Sequence, residues 1–205
     1  MLWLILFILA LAGFQVLSML VSRNKLTQFD ESIISAIQGQ ENDTLTAIAK
    51  FFSKIGSSSI FIPAVLVIAV ILFVVLKHRK ELVLLLGGLL GSTLLNSLIK
   101  SIYKRARPDI HRIVEQTGFS YPSGHSMASF TFYFLITYLL WRHVPRRRWR
   151  IALLIFSAAM IVCIGLSRIY LGVHYPSDIL AGYWVSALWV ALCIRLFRSW
   201  ARTAK

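Results

Sequence analysis

The sequence predicts an all-α fold: a six-helix transmembrane bundle with short interfacial helices after the first span. Three observations predict it. Hydrophobic residues make up 58% of the 205-residue chain and charged residues only 15%, against roughly 45–50% and about 25% in average soluble usage. Six apolar segments approach the ~20 residues that a helix needs to cross the hydrocarbon core. Basic residues collect in alternate connections between those segments. With a mean hydropathy of +0.73, the chain is not a disordered, collagen-like or ordinary soluble protein.

The first segment, Leu2–Val21, contains Ala10-Leu11-Ala12, which could pass for a signal-peptidase site. No basic n-region precedes it and the apolar run continues, so an uncleaved anchor is expected. Residues 22–57 are less apolar. There Phe29, Ile33, Ile34 and Ile37, then Leu45, Ile48, Ala49, Phe52 and Ile55, recur at helical spacing. Two amphipathic helices on the outer interface fit this pattern, either covering the mouth of a lipid site or capping the bundle. Five further spans are expected at Ser58–Leu76, Leu82–Ile99, Ser126–Trp141, Ile151–Leu166 and Ile179–Phe197. Gly87, Gly88, Gly91 and Ser92 give the third span a small-residue face for close helix approach. Cys163 and Cys193 lie inside apolar runs, so neither a disulfide framework nor a zinc site is expected. With no internal repeat or linker, residues 1–205 read as one integral-membrane domain.

Charge sets the expected topology. Lys77, Arg79 and Lys80 follow the second span. Arg142, Arg146, Arg147, Arg148 and Arg150 follow the fourth, and Arg195, Arg198, Arg202 and Lys205 follow the sixth. These account for twelve of the 22 Lys and Arg residues, with Glu81 as the single acid among them. The positive-inside rule assigns these connections, and both termini, to the cytoplasm. Arg23 and Lys25 after the first span argue the other way and are outweighed. The net charge of +14 is then explained by topology and by an anionic lipid substrate, with no nucleic acid partner. Ten basic residues remain on the outer side, and six of them, Lys100, Lys104, Arg105, Arg107, Arg112 and Arg168, sit in two loops against the rule.

The outer loops contain three polar clusters, each at the end of a span. The first is Lys100-Ser-Ile-Tyr-Lys-Arg-Ala-Arg107-Pro108, the second Pro122-Ser123-Gly124-His125. The third runs from Ser167-Arg168 through His174 to Asp178. Ionisable residues at such positions are costly and usually functional. Lys100, Arg107 and Arg168 supply cations, and an arginine grips an oxyanion with two parallel hydrogen bonds. Ser123 suits an N-cap and Gly124 lets backbone approach a ligand, so the head of the fourth span is a phosphate site. His174 and Asp178 are four apart. A carboxylate there can hold one imidazole N–H and leave the other nitrogen to attack phosphorus. His125 then serves as general acid. No carboxylate cluster is available to hold magnesium, so a metal-independent reaction without a cofactor is expected. Lys104, Arg105, Arg112, His78, His111 and His143 are expected to do no more than meet headgroups or solvent.

With these residues, the chain resembles the type 2 phosphatidic-acid phosphatase family, which also includes vanadium haloperoxidases and glucose-6-phosphatase. Its signature is Lys-x6-Arg-Pro, Pro-Ser-Gly-His and Ser-Arg-x5-His-x3-Asp, and every specified position matches within residues 100–178. The resemblance implies His174 as nucleophile, Asp178 orienting it and His125 protonating the leaving group. It further implies that Lys100, Arg107, Ser123, Gly124 and Arg168 hold the phosphoryl oxygens. It implies an all-helical membrane bundle with its site near the outer leaflet. It also implies substrates such as undecaprenyl pyrophosphate, phosphatidylglycerophosphate or phosphatidic acid. A phosphotransferase using a lipid phosphate donor, or a non-catalytic anion or lipid transporter, are the alternatives. A carrier needs the cations but not the nucleophile.

Overall fold

A computed structural model describes residues 2–203. The elements in order are α1 (Leu2–Ser22), α2 (Thr27–Gln38), α3 (Asp43–Ile55), α4 (Ser58–Val70), α5 (Arg79–Tyr103), α6 (Gly124–Trp141), α7 (Arg147–Tyr170) and α8 (Pro176–Thr203). Helix α4 runs on through a π-helical turn at Ile71–Val75. The all-helical bundle with two short helices after the first span is as the sequence predicts. Lys205 lies outside the described residues.

Among the described residues, five helices are long and apolar enough to cross a membrane: α1, α4 with its π-turn, α5, α7 and α8. The fourth expected span, Ser126–Trp141, is the 18-residue helix α6, which is not among the five. Its position explains why. It packs between α5, α7 and α8, and it buries Ser126, Ser129, Thr131 and Thr137 along with Met127, Phe132 and Leu135. Its hydroxyls are satisfied inside the protein: Thr131 donates to Ser92 of α5 (3.1 Å), and Thr137 pairs with Ser157 of α7 (2.7 Å). A helix ringed by protein has no need of the apolar surface that lipid demands of its neighbours.

Helices α5, α7 and α8 extend past the expected spans at both ends, because the chain stays helical through the charged residues that sit at the interface. The small face on α5 is real but narrower than predicted. A Cβ on Gly91 would fall 2.0 Å from the Trp189 ring of α8, whereas Gly87 faces open space.

Helices α2 and α3 lie where the amphipathic pattern puts them, but they do not turn a purely apolar face inward. Phe29, Leu45 and Ile48 stay exposed. The residues buried beneath α2 are Ile34 and Asp30, and beneath α3 Ala49 and Ser53. Two polar side chains are thereby carried to the end of the bundle where the three charged clusters meet.

Candidate active site

His174 lies in the short connection between α7 and α8 and is 1% exposed. Two features hold that connection. Gly172 adopts a φ of +73°, and a Cβ there would fall 1.9 Å from the His111 carbonyl oxygen, so only glycine fits. Helix α8 then opens with Pro176 at its first position, where a missing N–H costs nothing. The Asp178 carboxylate reaches back to accept from the Tyr175 N–H (3.0 Å), closing the N-terminus as a capping box does.

The same carboxylate fixes the imidazole. His174 Nδ1 lies 3.3 Å from Asp178 Oδ2, and Nε2 lies 3.2 Å from Arg107 Nη1. A guanidinium can only donate. Nε2 therefore presents its lone pair, and the ring proton sits on Nδ1, donated to Asp178. Burial pushes the His174 imidazole down to about 4, with Arg107 and Arg168 adding to the fall and Asp178 opposing it. The ring is neutral at physiological pH.

The expected cations converge here. Arg107 is 8% exposed and donates to the carbonyls of Thr117 (3.0 Å), Gly118 (3.0 Å) and Val173 (2.8 Å) as well as to His174. Lys100 donates to the carbonyls of Phe119 and Ser120. Arg168, 4% exposed, donates to Ser53 Oγ of α3 and to Gln116 Oε1. Its Nε is buried with no partner among the described residues, a donor suited to an oxyanion. Ser123 is the N-cap of α6 and accepts from Ser126 N–H (3.3 Å). Its own N–H donates to the Asp178 carbonyl (3.1 Å), tying the head of α6 to α8.

A cavity of about 710 Å³ opens beside these groups. Lys100, Arg107, Gly124, His125 and His174 line its polar end. Phe61, Ile62, Val65 and Leu66 of α4 and Leu86, Leu89 and Leu90 of α5 line the rest. Both imidazoles thus face one space, with cations beside them and an apolar wall leading away. Among the described residues, no three His, Cys, Asp or Glu side chains gather as a metal-binding group.

One expectation fails. Arg105, read from the sequence as a headgroup contact, is largely buried and salt-bridged to Asp178 (2.7 Å) and Asp30 (2.8 Å). Its guanidinium lies 3.9 Å over the Tyr175 ring. The reason is positional: the chain turns after α5 and sends this side chain inward, behind the site. Other contributors were also missed. Ser53 and Gln116 hold Arg168. Asn96 donates to the Pro122 carbonyl (3.1 Å). Gly56 leaves room for His125, whose Cδ2 lies 3.1 Å from where a Cβ would stand. An acid within the apolar stripe of α2 was the available signal for Asp30.

The PAP2 superfamily model matches residues 81–202. Phosphatidylglycerophosphatase B of Bacillus subtilis is 32% identical over 172 residues, covering 83% of this chain and 84% of that protein. Undecaprenyl-diphosphatase of Sulfolobus acidocaldarius is 27% identical over 169 residues, covering 80% and 75%. The crystal structure of a transmembrane PAP2-type phosphatidylglycerolphosphate phosphatase from Bacillus subtilis superposes with a TM-score of 0.85 at 28% identity, covering 94% of this chain and 96% of that one. The chain belongs to the PAP2 superfamily, as a multi-pass membrane protein whose relatives are phosphatases.

Proposed function

We propose that this chain hydrolyses lipid phosphates or pyrophosphates through a phospho-histidine intermediate, without a metal ion, at the outer face of the cytoplasmic membrane. The observation that carries the reading is the buried His174, which lines, with the Arg107 that donates to its Nε2, a cavity with cations at one end and an apolar wall at the other.

The steps follow from the geometry. The phosphoryl oxygens bind Lys100, Arg107 and Arg168 and the head of α6 at Ser123 and Gly124, while the lipid chain lies along the wall between α4 and α5. His174 Nε2 attacks phosphorus. The bond from phosphorus to the leaving oxygen breaks, and that oxygen takes a proton from His125. Asp178 stabilises the cationic phospho-histidine through the Nδ1 proton. Water then attacks phosphorus, giving its proton to His125, and the P–N bond breaks to restore both imidazoles. Each cation lowers the energy of charge that develops on the transferring group.

Undecaprenyl pyrophosphate and phosphatidylglycerophosphate are the substrates to test first, since relatives named for each resemble the chain. The outward orientation rests on the twelve basic residues that follow the second, fourth and sixth expected spans in sequence. The test is phosphate release from a panel of purified lipid phosphates, with and without EDTA, for wild type and His174→Ala. The reading expects release that EDTA leaves intact, that vanadate inhibits and that His174→Ala abolishes. Release by His174→Ala at the wild-type rate would overturn it, and label retained on an acceptor other than water would assign a phosphotransferase.

A further inference from the structure

Asp178 is held by more than His174. Its Oδ1 accepts from Arg105 Nη1 (2.7 Å), and the other arm of that guanidinium donates to Asp30 Oδ2 (2.8 Å). Asp30, fully buried on α2, also accepts from the Ser177 N–H (2.8 Å) and the Ser177 hydroxyl (2.6 Å). Two carboxylates therefore share one guanidinium at the N-terminus of α8, where the helix dipole favours negative charge. Burying charges costs several kcal/mol each unless geometry and hydrogen bonding offset it, and here the requirement is met by residues 73 and 75 positions from Arg105 in sequence. Asp30 lies outside the three motifs, and Arg105 occupies one of the unspecified positions of the first.

We propose that Asp30 and Arg105 are positioning residues for the proposed phosphoryl transfer: Arg105 fixes the Asp178 carboxylate against His174, and Asp30 takes up part of the Arg105 charge so that Asp178 remains a strong partner for the imidazole. The inference rests on the reading of His174 as nucleophile. It also gives α2 a role, since this interfacial helix supplies part of the support for the site and is pinned to α8 by two hydrogen bonds, both from Ser177 to Asp30.

The arrangement makes a signed prediction. The groups that face His174 are Asp178 from α8, Arg107 and Lys100 from α5 and the segment after it, His125 from α6 and Arg168 from α7; none is altered in the test. Arg105→Gln removes a cation from Asp178, so the carboxylate holds the imidazole proton more tightly. The acid limb of the kcat/KM profile then moves to higher pH. Asp30→Asn leaves the whole Arg105 charge on Asp178, and the limb moves to lower pH.

The experiment measures kcat, KM and the pH profile for wild type, Asp30→Asn, Arg105→Gln and Arg105→Lys in detergent, after size-exclusion chromatography. Both Asp30→Asn and Arg105→Gln should lower kcat about 10–100-fold, as losses of orienting partners do, with KM within twofold. Arg105→Lys should recover part of kcat with the limb near its wild-type position. Limbs that move in the same direction, or kcat within twofold of wild type, would overturn the proposal. If Asp30→Asn does not assemble, the two Arg105 variants decide alone: a limb unmoved in Arg105→Gln overturns it. A wild type that releases no lipid phosphate would instead sink the parent reading.

Discussion

The two ends of the bundle use the same cationic residues in opposite ways. At the end where α6 begins, Arg107 and Arg168 are buried, and their donors point at carbonyls, Ser53, Gln116 and His174. At the end where α6 finishes, Arg142 is 57% exposed and pairs with Glu81, while Arg150 and Arg198 lie over the rings of Trp141 and Tyr138. Side chains of the second kind run their stems along apolar surface and keep their charge in water, and such pairs contribute only about 0–1 kcal/mol. Buried guanidinium groups cost far more unless they are paired. The difference teaches that burial and partner, not residue type, separate site cations from interfacial ones.

Substitutions at the two ends should therefore diverge. The largest effect is expected at the proposed nucleophile, where His174→Ala should lower turnover by ~10⁴-fold or more while the bundle still elutes as a folded species. His125→Ala should cost about 10²–10⁴-fold on a lipid substrate, the usual range for a general acid, and less on p-nitrophenyl phosphate, whose leaving group needs no proton. An equal loss on both substrates would remove the acid role. Arg168→Lys keeps the charge but loses the planar fork, and a loss of ~10–100-fold in kcat/KM is expected from charged hydrogen bonds of about 1.5–3 kcal/mol. At the other end, Arg148→Ala and Arg198→Ala should leave kcat/KM within twofold. A large effect there would break the contrast between the two ends.

A pH profile sharpens the same contrast. In the proposed mechanism His174 attacks as the neutral ring, and burial holds its imidazole at about 4. As pH falls from neutrality, kcat/KM should hold through 6.5, where an exposed histidine would already protonate, and fall only as the pH nears 4. Correction for substrate ionisation uses the same substrate titrated alone.

Much of the fold was legible because lipid imposes a long apolar period that survives in sequence. The least legible helix was the most enclosed one: α6 is surrounded by protein, so its polar residues weaken the signal that reveals the outer spans. The span ends were misjudged at charges, which the chain carries on uninterrupted helix. In the site, the charged and titratable residues stood out because Lys100, Arg107, His125, Arg168 and His174 are anomalous in an apolar chain. The residues behind them did not. Arg105 looks like any loop arginine until the turn after α5 directs it inward, and Asp30 is more than 140 positions from the Ser177 that it caps. Spatial convergence of that kind leaves no local pattern to read.

The most direct test of the central claim is to trap the phosphorylated enzyme. Wild type mixed with ³²P-labelled lipid phosphate and quenched in alkali should carry label that survives base, is released by mild acid and maps to the peptide containing His174, with none in His174→Ala. Label mapped to another residue, or full turnover in His174→Ala, would contradict the account.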